Sequence, residues 1–245
     1  LVDSYSSYFV NTFTMKKVII IAAAIVIAGA MLPVSVSKFK SYDRTVEVKG
    51  LCEREVKADK VIWPLTFKIA NNDLTAALAN IDKANAAIVK FLKDGGIDES
   101  EINIATPRIN DKYTSSEYGN NDRQFRYLCT SVVTVCTGNV DAVLALLPRQ
   151  SELMKDGITL FENEWDDNKI RFNFEGLNEI KPMMIEEATK NAREAAIKFA
   201  QDSESSLGKI KTATQGNFSI EARDANTPQI KRVRVVTSVT YYLNR

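Results

Sequence analysis

An α+β fold, with mainly antiparallel sheets packed against three helices and a separate N-terminal apolar helix, is predicted by three features of the 245-residue chain. Two-residue apolar alternation, broken by short turns, marks strands that pair with their neighbours. Helical spacing of apolar residues marks three longer segments, and one continuous apolar run stands apart near the amino terminus.

That run lies in "MKKVIIIAAAIVIAGAMLPVSVSK", which begins at Met15, carries Lys16 and Lys17, and stays apolar over residues 18–32 before Pro33. Charge followed by apolar length predicts an export signal. As a helix, residues 18–32 reach about 22 Å, short of the roughly 30 Å hydrocarbon core, whereas residues 18–37 just span it. Residues 15–37 therefore read as a signal peptide or a signal anchor. Ser35-Val36-Ser37 or Ala28-Gly29-Ala30 would serve a peptidase, while the apolar length and the two lysines favour an uncleaved anchor in the inner membrane. Either reading places the body in the periplasm or cell envelope. Residues 1–14, "LVDSYSSYFVNTFT", show neither a capping pattern nor a periodic face and are expected to be an upstream extension without function.

The body, residues 38–245, contains no low-complexity linker. From Thr45, positions Val46, Val48, Gly50, Cys52 and Val56 form a mostly apolar face, alternating with Glu47, Lys49, Glu53 and Glu55; Arg54 is the exception on the inner side. After "KADK", the positions Val61, Trp63, Leu65, Phe67 and Ile69 repeat the alternation, so the two runs predict a hairpin. Pro64 falls on the outer face and, lacking a donor, predicts an edge strand or a bulge.

A helix capped by Asn72 or Asp73 follows, with Leu74, Leu78, Ile81, Ile88 and Phe91 at helical spacing, ending at Gly95-Gly96. "EINIATPRI" and "FRYLCTSVVTVCT" read as strands joined by a long polar hairpin loop. A second helix begins after Gly138-Asn139 and is expected to kink or split at Pro148. The endings "LKDGGI" and "MKDGI" both predict a left-handed glycine cap followed by an isoleucine return, a hint of a duplicated unit. "ITLFENEWDDNKIRFNFEG" predicts a hairpin turning at Asp166-Asp167-Asn168. The third helix, with Pro182 in its first turn, is expected to bury Ile185, Ala188, Ala192, Ala195 and Phe199, before two last strands, "GKIKTATQGNFSIEAR" and "IKRVRVVTSVTYYL".

Charge and composition narrow the function classes. Residues 1–37 contribute Asp3, Lys16 and Lys17, and without them thirty basic residues face thirty acidic ones. A neutral body has no broad attraction to nucleic acid, so no nucleic-acid partner is expected. The chain has no histidine. That removes Ser-His-Asp and Cys-His nucleophile pairs, the H-E-x-x-H zinc motif and every imidazole proton shuttle. No G-x-G-x-x-G, Walker loop or C-x-x-C occurs. Catalytic, cofactor and metal sites are all predicted to be none.

The residues that carry chemistry elsewhere read here as structure. Cys52 shares its face with valines and reads as a small buried hydrophobe; a reactive thiol would need Arg54 or a lysine to lower its pKa. The chain's other cysteines, Cys129 and Cys136, lie seven apart in one strand, on opposite faces, and should not bond to each other. Glu53 with Glu55, and Glu162 with Glu164, each set two carboxylates about 7 Å apart, a spacing known from acid and base pairs, yet charge alternating with apolar residues is what a solvated sheet face looks like. "FENEWDDN" lacks a calcium-loop pattern and reads as a turn. Arg232 and Arg234 are expected to pair with acidic neighbours.

With these elements in order, "RTVEVKGLCEREVKADKVIWP", "QSELMKDGI", "EGLNEIKPMMIEEATKNAREAAIKFAQDS" and "LGKIKT" resemble the SIMPL-domain family of exported bacterial proteins, which includes the periplasmic immunogenic proteins. The likeness covers residues 45–243, and its most specific piece is the alanine-rich helix leading through Leu207-Gly208 into a strand. Where the family commonly begins G-x-G, this chain reads Gly50-Leu51-Cys52. The resemblance implies an envelope or periplasmic protein with no agreed enzymatic activity and no catalytic residue to carry over. Some relatives assemble into large hollow oligomers and some are linked to oxidative-stress tolerance. The expectation is a non-enzymatic envelope protein that self-associates as a homo-oligomer through exposed strand edges. The alternatives are an exported binder of a small ligand or peptide, using a groove near Trp63 and Trp165, and a cysteine-dependent redox enzyme.

Overall fold

The computed structural model describes residues 26, 44–114, 124–161 and 169–244. The leader over residues 15–37, apart from helical Val26, and the extension over residues 1–14 lie outside the described residues. Among the described residues no helix is long and apolar enough to cross a membrane.

The chain is α+β. In order, the elements are β1 (Thr45–Lys57), β2 (Lys60–Asn71), α1 (Leu74–Asp94), β3 (Ile102–Ile104), β4 (Arg108–Asp111), β5 (Tyr127–Thr137), α2 (Val140–Leu146), α3 (Ser151–Lys155), β6 (Arg171–Asn173), α4 (Leu177–Asp202), β7 (Ser206–Gln215), β8 (Ser219–Ala222) and β9 (Ile230–Asn244). One sheet has the order β3-β5-β2-β6, with β4 also on β5; the other has the order β1-β9-β7, with β8 also on β9. Two compact units emerge. Of the described residues, the larger holds those within 53–184 and 218–234; the smaller holds those up to Cys52, within 185–217 and from Val235 on.

In the larger unit β2 and β5 pair antiparallel from Val61↔Thr137 to Asn71↔Tyr127. Val61, Trp63, Leu65 and Phe67 are buried as the alternation predicts, and Val133 and Val135 are buried from β5. α1 packs on these two strands through Ile81, Ile88 and Leu92, all fully buried. One polar pair sits in this layer: the Ser131 hydroxyl donates to Asn85 Oδ1 at 3.0 Å. Asp73 is the cap of α1, accepting from the Thr75 and Ala76 N–H groups at 2.7 and 3.1 Å.

The two Lys-Asp-Gly endings are the same device. Gly96 and Gly157 adopt φ of +88° and +77°. Ile97 N–H donates to Leu92 O and Ile158 N–H to Leu153 O, while each glycine N–H returns to the third carbonyl back. Both are Schellman ends, closed by a buried isoleucine against a buried leucine. Pro148 splits the second helix as expected, leaving α2, a short 3-10 turn at Leu147–Gln150, and α3.

Five expectations are corrected. β1 and β2 do not form a hairpin: they belong to different sheets. The backbone at the connection bonds outward instead, Ala58 N–H to Gln229 O at 2.8 Å and Asp59 N–H to Asn173 O at 3.0 Å, so the chain changes sheet there. Nor do the two arms of the segment around Asp166 pair with each other among the described residues. β6 pairs with residues 60–62 of β2, and Leu160 bridges Phe67 of the same strand. The turn itself, residues 166–168, lies outside the described residues.

Pro64 marks a local gap rather than an edge strand, because β2 has β5 on one side and β6 on the other. Thr66 O accepts from Phe161 N–H on the side away from β5, and residue 64 directs its backbone the same way. The missing donor therefore falls between the β6 contact and the Leu160 bridge, where no described strand needs it.

The fourth correction concerns Pro182, which lies inside α4 and not in its first turn, since the helix begins at Leu177. The Asp59 carboxylate takes the N–H groups of Glu175 and Gly176 at 2.8 and 2.7 Å, which fixes the helix start upstream of the proline. Fifth, the inner stripe of α4 is Met184, Ala188, Ala192, Ala196 and Ala200, whereas Phe199 is 60% exposed. In the smaller unit Ala192 and Ala196 form a core with Val48, Val239 and Tyr241. A β-carbon on Gly50 would lie 1.9 Å from Ala188 O, so the strand approaches the helix backbone too closely for any large residue in that stripe.

The β4–β5 hairpin closes on a charged clamp. Arg126 donates to Asp111 through Nε at 3.2 Å and Nη2 at 2.9 Å, and its guanidinium lies 4.8 Å from the Tyr127 ring centroid and 5.5 Å from that of Tyr113. The Arg126 bonds, with help from the Tyr113 N–H, hold the Asp111 carboxyl below its ordinary value against a smaller upward push from desolvation. A depressed folded pKa gives stabilisation that is present above the unfolded value, near 3.9, and lost as pH falls through the folded one. Carboxyl NMR titration should therefore find Asp111 protonating below an ordinary aspartate, and Arg126→Ala should move it back up.

Candidate functional site

The side chains singled out in the sequence do not converge. Cys52 is 2% exposed in β1, Cys129 is buried in β5, and Cys136 is exposed on that strand's other face, as the alternation requires. Burial pushes the Cys129 thiol up, away from reactivity. Glu53 of β1 pairs with Arg234 of β9 at 3.4 Å, and Glu55 pairs with Arg223, just past the end of β8, at 3.3 Å, so both carboxylates serve exposed ion pairs. Glu162, Glu164 and Trp165 lie outside the described residues. Trp63 is 2% exposed inside the core of the larger unit and lines no groove, which corrects that expectation. Among the described residues no cluster of three or more Cys, Asp or Glu could hold a metal ion.

Two features of the smaller unit stand out instead. The first is the outer edge of β7, the end strand of its sheet, where residues 209–215 are all exposed. Its pairing with β9 is irregular from Leu207 to Thr212 and then regular, Thr212↔Thr240 to Gln215↔Thr237. Gly216 N–H donates to Val236 O at 2.8 Å, so in the alternating ladder Thr214 faces β9 while Ala213 and Gln215 present their backbone groups outward.

The second is an open groove of about 660 Å³ between one side of α4 and the start of β7. Thr189, Arg193 and Ile197 recur every four residues along the helix, which brings them to one wall. Lys209 and Ile210 form the facing wall, over buried Tyr241 of β9. Ile197 and Ile210 are 37% and 51% exposed. Ser205, at the turn, accepts a hydrogen bond from the Arg44 guanidinium at 3.2 Å, so a third cation stands at the groove. Among the described residues no carboxylate lines it. No local pattern in the sequence marks this meeting, because Arg193 and Lys209 sit on different elements and each reads as an ordinary solvated charge.

The turn that joins the walls is strained. Ser205 N–H donates to Ala200 O at 2.8 Å and Glu204 N–H to Gln201 O at 3.0 Å, a third Schellman end. Here the left-handed position is held by Glu204, with φ of +50°, where the other two ends have glycine. Glu204→Gly is expected to raise stability by about 0.5–1 kcal/mol, measured as an upward shift of the urea midpoint, because it removes the β-carbon clash of the left-handed region.

The SIMPL family model, described as a protein of unknown function (DUF541), matches residues 46–241. No curated protein matches the chain. The match takes in every strand and helix described above apart from the first residue of β1 and the last three of β9. This chain belongs to the SIMPL family.

Proposed function

We propose that this SIMPL protein is a non-enzymatic cell-envelope protein that works by contact, self-associating through the outer edge of β7 in a role that protects the envelope against oxidative or other stress. The carrying observation is the segment Thr212-Ala213-Thr214-Gln215: exposed, regular, uncharged, and at the end of its sheet. An end strand of this kind templates pairing with another chain. Two copies related by a dyad through Thr214 would set Ala213 against Gln215, both of which present their backbone groups outward, a register that opposes no like charges. The preceding half of the strand is blunted by its irregular register and by Lys209 and Lys211, which confines pairing to the neutral half. Export is supported by the charged and apolar leader, and the stress role by the family resemblance.

The test is Gln215→Pro. Position 215 presents its N–H outward, so proline removes a donor from the free edge and leaves the Gly216–Val236 bond in place. Sedimentation velocity should show the assembly shifting to smaller species while the urea midpoint moves little. An unchanged size distribution would rule out the β7 edge as the contact.

A further inference from the structure

We propose that the groove between α4 and β7 binds a small amphiphilic carboxylate, one anionic head on an apolar body. Three observations carry this. The first is charge: Arg193 and Lys209 line the groove, Arg44 reaches it through Ser205, and among the described residues no carboxylate lines it. Among the described residues neither Arg193 nor Lys209 makes an ion pair, although the body as a whole carries as many acids as bases. A local excess of cations in a neutral protein is a built feature of the site, and it selects an anion.

Size and wall chemistry define the rest of the ligand. A volume of about 660 Å³ falls in the range of small-molecule sites. Ile197 and Ile210 present apolar surface beside the cations, which suits a ligand with an apolar body rather than a free inorganic anion. Among the described residues the one ring in the groove, Tyr241, is 4% exposed, so they offer no aromatic face for a nucleobase to stack on. The single guanidinium on the helical wall matches the planar fork of a carboxylate, with Lys209 as a point charge opposite.

The proposal is independent of self-association and its readout does not depend on oligomer size. The full-length chain, methyl-labelled at isoleucine, is titrated with octanoate, and with octanol, octylamine and acetate as probes of charge and of the apolar body. Octanoate should shift the Ile197 and Ile210 methyls saturably, leaving those of Ile81 and Ile88 in the core of the larger unit unmoved. The other three probes should bind at least about tenfold more weakly. Arg193→Gln and, separately, Lys209→Glu should each weaken octanoate by about tenfold or more, with the remaining methyl spectrum unchanged as evidence of folding. Equal binding of octanol and octanoate, shifts that ignore both substitutions, or no shift at Ile197 and Ile210 would each overturn the proposal.

Discussion

Alanine at position 50 is expected to destabilise the protein by about 3 kcal/mol or more, beyond the usual range for an extra methyl group in a core. A β-carbon built there lies 1.9 Å from Ala188 O, 2.5 Å from Ala192 N and 2.9 Å from Ala192 Cβ. Two of those three atoms are helix backbone, which no rotamer change relieves. Nearby, Asn191 Nδ2 donates to Leu51 O at 2.9 Å, fixing strand against helix so that neither slides away. Urea denaturation of Gly50→Ala should show the loss, with Leu51→Ala, on the exposed face of β1, as a near-neutral control. A midpoint shared by Gly50→Ala and the parent would mean that β1 and α4 do not meet this closely.

Trp63→Ala should lose about 3–5 kcal/mol, the range for deleting a large buried aromatic side chain. Trp63 is 2% exposed and stands opposite Val135 in the central strand pair, in the same core as Ile81, Ile88 and Leu92. Chemical denaturation measures the loss, and Trp63→Phe should recover much of it by keeping a ring in the cavity. A small loss for the alanine variant would place Trp63 near the surface, where the groove first expected from the sequence would have needed it.

What the sequence made legible was local sterics and patterning. The alternation of β2 and β5, the Asp73 cap, the Pro148 split and the paired glycine ends all depend on residues within a turn or two of one another, and all are present. The β1–β2 hairpin failed because the partners of Ala58 and Asp59 are Gln229 and Asn173, far along the chain. The inner face of α4 was misread for a related reason. Phe199 is the largest apolar residue on the predicted side, yet the buried stripe recurs every four residues through Ala192, Ala196 and Ala200, and position 199 stands one residue, about 100°, off it. Neither the groove nor the β7 edge has a sequence signature, since each arises from where a strand sits in its sheet. Glu204 is the exception in reverse: a helix that ends without glycine hides its left-handed residue from any sequence rule.

The central claim, that this SIMPL protein acts by self-association, is tested most directly by light scattering of residues 38–245 over a wide concentration range. The account predicts a molar mass that is a whole multiple of the single chain's and that falls in Gln215→Pro. A single-chain mass at every concentration, unaffected by that substitution, would contradict it.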